Sequence, residues 1–88
     1  MKSKAEEIWE RAPVWIKESQ IMGERVVDMQ ALGAEMRAKR MMKGLPPGGV
    51  ARQMGCEARF LGDLERGSRD WTVGLIDRFL KALERNGI

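Results

Sequence analysis

The stretch GLPPGGVARQMGCEARFLGDLERG, residues 44–67, decides the fold. Val50, Ala51 and Met54 are small or apolar positions at helical spacing, and Phe60, Leu61 and Leu64 resume the pattern. Gly55 interrupts the helix between them, and Gly67 stops the second segment. Two short helices joined by a tight glycine turn cannot lie antiparallel. They cross steeply, which is the geometry of a helix-turn-helix. Ala51 fits the crossing point, where a small side chain lets two backbones approach, and Gly55 fits a turn that needs positive φ.

Composition agrees. Eighty-eight residues allow one domain, and 43% hydrophobic content builds a modest core that gains stability by oligomerising. There is no Tyr, aromatics are 6%, and no run alternates with period two, so strands are disfavoured. The expected fold is all-α, a compact bundle of about five or six short helices. No apolar run approaches the ~20 residues of a membrane span, and the start is too charged for a secretory leader. A single cysteine, Cys56, excludes an internal disulfide and fits a reducing, cytoplasmic setting. With no His and one Cys, a zinc site is excluded, and no metal or cofactor is expected. Enzymatic chemistry finds no support either. No His serves acid–base work, no glycine-rich phosphate loop follows a strand, and Cys56, read as a core residue, has no histidine to activate it.

The charge is unevenly spread. Residues 1–28 hold five Lys/Arg against six Asp/Glu, whereas residues 29–88 hold eleven against seven. The positive excess therefore sits with the helix-turn-helix, as phosphate binding requires. Residues 1–28 read as a helical extension and residues 29–88 as the domain proper. In the extension Ile8, Trp9, Ala12, Trp15 and Ile16 form an amphipathic stripe. Pro13 places a break near Arg11–Pro13 and starts a second helix, which Gly23 ends. Asp28 is the N-cap of a helix over Met29–Lys43. Trp9 and Trp15 have two readings: they enlarge the core, or with Ile8 and Ile16 they form a dimer interface or docking surface. Met22, Met29 and Met36 recur every seven residues and read as core filling, with an extended seam as the alternative.

Leu32-Gly33-Ala34-Glu35-Met36-Arg37-Ala38-Lys39-Arg40-Met41-Met42-Lys43-Gly44-Leu45 resembles the first helix of the Xre family of helix-turn-helix domains, the lambda-repressor and Cro type. Val50-Ala51, Met54-Gly55 and Phe60-Leu61 through Leu64-Glu65-Arg66-Gly67 resemble its second and third helices, and Trp71-Thr72-Val73 through Leu83 its fourth. The resemblance spans roughly residues 30–85 in order and spacing.

It implies that the third helix lies in a DNA major groove, presenting Glu57, Ala58, Arg59, Gly62 and Asp63 while Phe60, Leu61 and Leu64 face inward. Arg59 becomes the candidate guanine reader. Asp63 either accepts from cytosine N4 or pairs with Arg59. Glu57 reads as an N-cap or first-turn acid. Lys43, Arg52, Gln53, Arg66, Ser68 and Arg69 are the phosphate candidates. Arg40 and Glu65 are implied to form a buried structural pair. The chain departs from the family at Pro46-Pro47, where a capping, DNA-contacting Ser-Gln is usual, at Gly48-Gly49, and in an acidic, short-chained reading face.

The function implied is a transcriptional regulator binding double-stranded DNA as a homodimer on an inverted repeat, like phage, prophage or mobile-element regulators. The alternative is a helix-turn-helix scaffold that binds a protein partner with weak or no specific DNA binding, and an antitoxin-like regulator that does both lies between the two.

Overall fold

The helices start where the sequence offers a cap. Ser3 Oγ accepts from the Glu6 N–H at 3.2 Å while Glu6 takes the Ser3 N–H, a capping box that opens α1 (Lys4–Arg11). Asp28 accepts from the Ala31 N–H at 3.2 Å and opens α2 (Met29–Met42). Thr72 accepts from the Leu75 N–H at 3.1 Å just before α5 (Val73–Asn86). α3 (Pro47–Met54) begins on a proline, whose missing N–H is harmless there, and Pro46 supplies no side-chain cap. α4 (Ala58–Arg66) follows Glu57, which occupies the cap position without making a side-chain cap bond. The structure, a computed structural model, describes residues 1–15 and 26–86, with the backbone alone at Trp15 and Asn86.

The first of the two glycines read from the sequence ends α3 in the left-handed region, with Gly55 at φ 81°. Its N–H bonds the Arg52 carbonyl at 3.1 Å and the Cys56 N–H bonds the Ala51 carbonyl at 3.0 Å, closing the last turn. Gly44 and Gly67 end α2 and α4 with the same pair of bonds. The turn from Gly55 to Glu57 joins α3 to α4, which pack on each other, and Ala51 is buried. α2 lies against α4, α3 against both α4 and α5, and α1 against α5.

The extension differs from its sequence reading. α1 stops at Arg11, but no helix starts at Pro13. Val14–Trp15 (β1) pairs antiparallel with Val26–Val27 (β2), Val14 opposite Val27 and Trp15 opposite Val26. The Asp28 N–H donates to the Pro13 carbonyl at 2.7 Å and prolongs the ribbon. β-Branched valines favour this extended backbone, and only the Pro13 carbonyl is needed. Ile16, Met22, Gly23 and the side chain of Trp15 lie outside the described residues.

Ala5, Ile8, Ala12 and Val27 pack into the same core as Leu32, Met36, Val50, Leu61, Ile76 and Phe79. These described residues of the extension are thus built into the body of the domain. Trp71, expected inside the fourth helix, precedes α5 and is buried. Its indole N–H donates to the Leu64 carbonyl at 2.9 Å, and its ring meets Phe79 edge-on at 5.5 Å. Met29 Sδ accepts the Trp71 backbone N–H at 3.2 Å. Among the described residues no helix is long and apolar enough to cross a membrane.

α2 approaches α4 most closely at Gly33. A Cβ built there meets the backbone oxygens of Leu64 and Glu65, the second at 2.6 Å. Gly48, in the first turn of α3, has nothing within 4 Å of its own Cβ position. One substitution therefore has opposite signs at two sites. Gly33→Ala is expected to lower stability by about 1–3 kcal/mol through backbone overpacking. Gly48→Ala is expected to raise it by about 0.4–1 kcal/mol by restricting the unfolded chain. Urea melts of the two variants check both signs.

Candidate functional site

Arg40, on the last turn of α2, reaches Glu65 on α4 across 25 positions of sequence. Its Nε donates to Glu65 Oε2 at 2.8 Å and its Nη2 to Glu65 Oε1 at 3.0 Å, a two-bond fork. Its Nη1 donates to the Leu45 carbonyl at 2.8 Å, in the loop between α2 and α3. The two residues are 8% and 7% exposed, so the energetics are those of a buried pair and not a surface one. The hydrogen bonds from Arg40 to Glu65 hold the guanidinium above its ordinary pKa, outweighing the opposing effect of burial. Among the described residues no buried side-chain nitrogen or oxygen lacks a partner.

This pair braces α4, which stands as a ridge between two grooves. On one side a groove of about 990 Å³ separates it from α2, with Ala34, Ala38, Ala58 and Gly62 keeping it open. Arg37, Arg59 and Arg66 line that groove, and the Arg40–Glu65 pair also borders it. On the other side a smaller groove is lined by Cys56, Glu57, Phe60, Asp63 and Arg69. Arg59 borders both. It is exposed and makes no ion pair among the described residues.

Asp63 is placed differently. It does not pair with Arg59. Its Oδ1 takes Arg66 Nη2 at 2.5 Å and its Oδ2 lies 3.8 Å from Arg69 Nε. With its side chain 24% exposed and turned to two arginines, the carboxylate is poorly placed to accept from a base. Arg66 lies back over Gly62, where an added Cβ would meet Nη1 at 3.2 Å. Arg69 also covers the half-buried Phe60 ring at 5.3 Å, a cation–π contact. Two phosphate candidates are thus drawn together with one supposed base reader into a single cluster.

The other candidates scatter. Ser68 is exposed beside this cluster, and its N–H closes α4 on the Asp63 carbonyl at 2.8 Å. Arg52 is exposed on α3, and Gln53 accepts from Arg85 of α5 at 3.3 Å. Lys43 does not line the groove beside α4; it borders a separate pocket with Leu80 and Leu83. Ile8 is 5% exposed and belongs to the core, which removes it as a dimer anchor, and Trp9 packs half-buried against that core. Cys56 is half-buried at the turn, and burial pushes its thiol above the usual value, which suits a packing residue better than a nucleophile. Arg37 is the groove residue that sequence reasoning missed: it stands on α2, and the packing of α2 on α4 puts it on the same groove as Arg59.

Comparison with protein-family models, with curated proteins and with solved structures gave no match. α4 presents an arginine-edged ridge between two grooves.

The brace can be separated from the surface it supports. Arg40→Met alone is expected to cost about 3–5 kcal/mol, because Glu65 is left charged and buried. Adding Glu65→Leu should recover much of that loss. A double-mutant cycle from chemical denaturation measures the coupling, and small additive effects would show that the pair contributes little.

Proposed function

We propose that this protein binds double-stranded DNA as a transcriptional regulator of the Xre type, with α4 in the major groove and Arg59 reading a guanine. The observation that carries the reading is Arg59 itself: exposed, without an ion-pair partner, and set on the ridge between two grooves. A guanidinium in that position can donate two parallel bonds to guanine O6 and N7. B-DNA's major groove, about 12 Å wide, admits a helix with small flanking residues such as Ala58 and Gly62.

Backbone positioning falls to groups around the ridge. Arg37 stands across the larger groove, and Arg66, Ser68 and Arg69 gather at the far end of α4. α3 adds the uncapped N–H groups of Gly48 and Gly49, whose missing side chains leave room for a phosphate. Asp63 acts here as an orienting residue and not as a reader. On an inverted repeat two copies present their α4 helices about 34–36 Å apart, so the regulator acts as a homodimer. Its contact surface lies elsewhere than Ile8.

A second reading, a scaffold whose business is protein binding, is favoured by one observation. Asp63 holds both Arg66 and Arg69, which weakens the positive field at the end of α4. The two readings separate experimentally. If DNA is the ligand, Arg59→Ala should cost about 1–3 kcal/mol on a selected duplex and relax preference at one base pair. Asp63→Asn should tighten binding to all duplexes and steepen its salt dependence, since two arginines are released to phosphates. Selection from random duplexes followed by a salt titration tests both. Selected duplexes that bind no better than random ones would leave the scaffold reading.

A further inference from the structure

α2 carries a second functional-looking face. Ala34, Arg37, Ala38 and Met41 border the groove beside α4, whereas Lys39, Met42 and Lys43 border another pocket. The two sets are centred roughly 140° apart around the axis of an ideal helix. The second pocket, about 400 Å³, is completed by Leu80 and Leu83 of α5 and by Lys4 of α1.

Its chemistry is mixed in a particular way. Met42 is 87% exposed, which leaves a thioether in water beside the half-buried Leu80. Three lysines surround this apolar surface, and Glu84 is the acid among the lining residues. None of Lys4, Lys39 and Lys43 is ion-paired among the described residues. Lys39 and Lys43 have an ordinary reason to be there, because cations suit a helix C-terminus. Lys4 has the opposite setting: it is the first residue of α1, where the helix dipole disfavours a cation. Its place beside the other two calls for an anion.

We infer that this pocket docks an acidic segment of a partner protein, seating an apolar side chain on Met42 and Leu80 between carboxylates held by Lys4, Lys39 and Lys43. Phosphate alone has no use for the Met42 surface. A small ligand needs most of its area enclosed, and Lys4, Met42, Lys43 and Glu84 all stand open to water. An extended or helical acidic segment satisfies both halves of the site, the methionine being an adaptable contact surface. The inference does not rest on the DNA reading, since no residue of the α4 grooves takes part.

The test uses the fluorescein-labelled peptide DLEDFLED as probe and fluorescence anisotropy with the full chain. Saturable binding is expected, weakened about tenfold by Lys4→Glu with Lys43→Glu, and about tenfold by Met42→Asp. Lys4, Met42 and Lys43 are exposed, so melting by circular dichroism should match the parent. The peptide DSEDSSED keeps every charge and should bind at least about tenfold more weakly, while Arg59→Ala should leave binding unchanged. The proposal is overturned if the serine peptide binds as well as its parent, which would mean general attraction to polyanions. It is equally overturned if neither variant weakens binding, or if the chain sediments with phosphatidylglycerol vesicles and ignores the peptide, which would make the occupant a membrane.

Discussion

The guanidinium of Arg40 ties three parts of the chain together: the end of α2, the loop at Leu45 and the side of α4 at Glu65. Its backbone carbonyl also accepts the Leu45 N–H, so side chain and main chain grip the same residue from both directions. The consequence is positional. α3 begins two residues beyond Leu45, and α4 is fixed at Glu65, so both helices are referred to one planar group. Burial makes this arrangement demanding, because each charge depends on the other for its solvation. A fork of fixed geometry suits the task better than a flexible ammonium.

The close approach at Gly33 and the left-handed end at Gly67 belong to the same joint. Gly67 sits against Gln30 of α2, three residues before Gly33, and an added Cβ there would lie 2.7 Å from Gln30 Cα. α4 is thus held to α2 by backbone proximity at its last turn and by the ion pair at Glu65. Ala58, Gly62 and Glu65 share one stripe of α4, and with Arg59 they border the larger groove. A helix held this firmly presents its side chains in a fixed frame.

Features with local causes were legible in the sequence. Ala51, Gly55, Gly67 and the Asp28 cap each follow from the preference of one residue for one backbone setting. The Arg40–Glu65 pair was reached through resemblance, because a separation of 25 positions leaves no periodic signal. Gly33 carried no signal of its own, since its importance lies in the carbonyls of another helix. The β1–β2 ribbon is two residues long on each side, too short for alternation to register against the proline that suggested a helix start. Asp63 had Arg59, Arg66 and Arg69 within reach along the chain. The turn after Gly67, which brings Arg69 back over Phe60, decided among them. Resemblance places Trp71 in the fourth helix, yet it precedes α5 and its indole N–H bonds the Leu64 carbonyl.

The packing of α1 on α5 bears on how the chain reaches this state. Ala5, Ile8 and Ala12 have their partners largely in a helix that follows them by some sixty residues or more, a separation of the kind that makes closure slow. On the ribosome α1 emerges well before α5 and must remain unpartnered, or be loosely held, until synthesis has passed Asn86. The α2–α4 unit, with its ion pair and glycine joints, is already complete in sequence by then. Assembly in the cell would therefore proceed from the middle of the chain outward, with the junction of its first and last helices closing the core at the end.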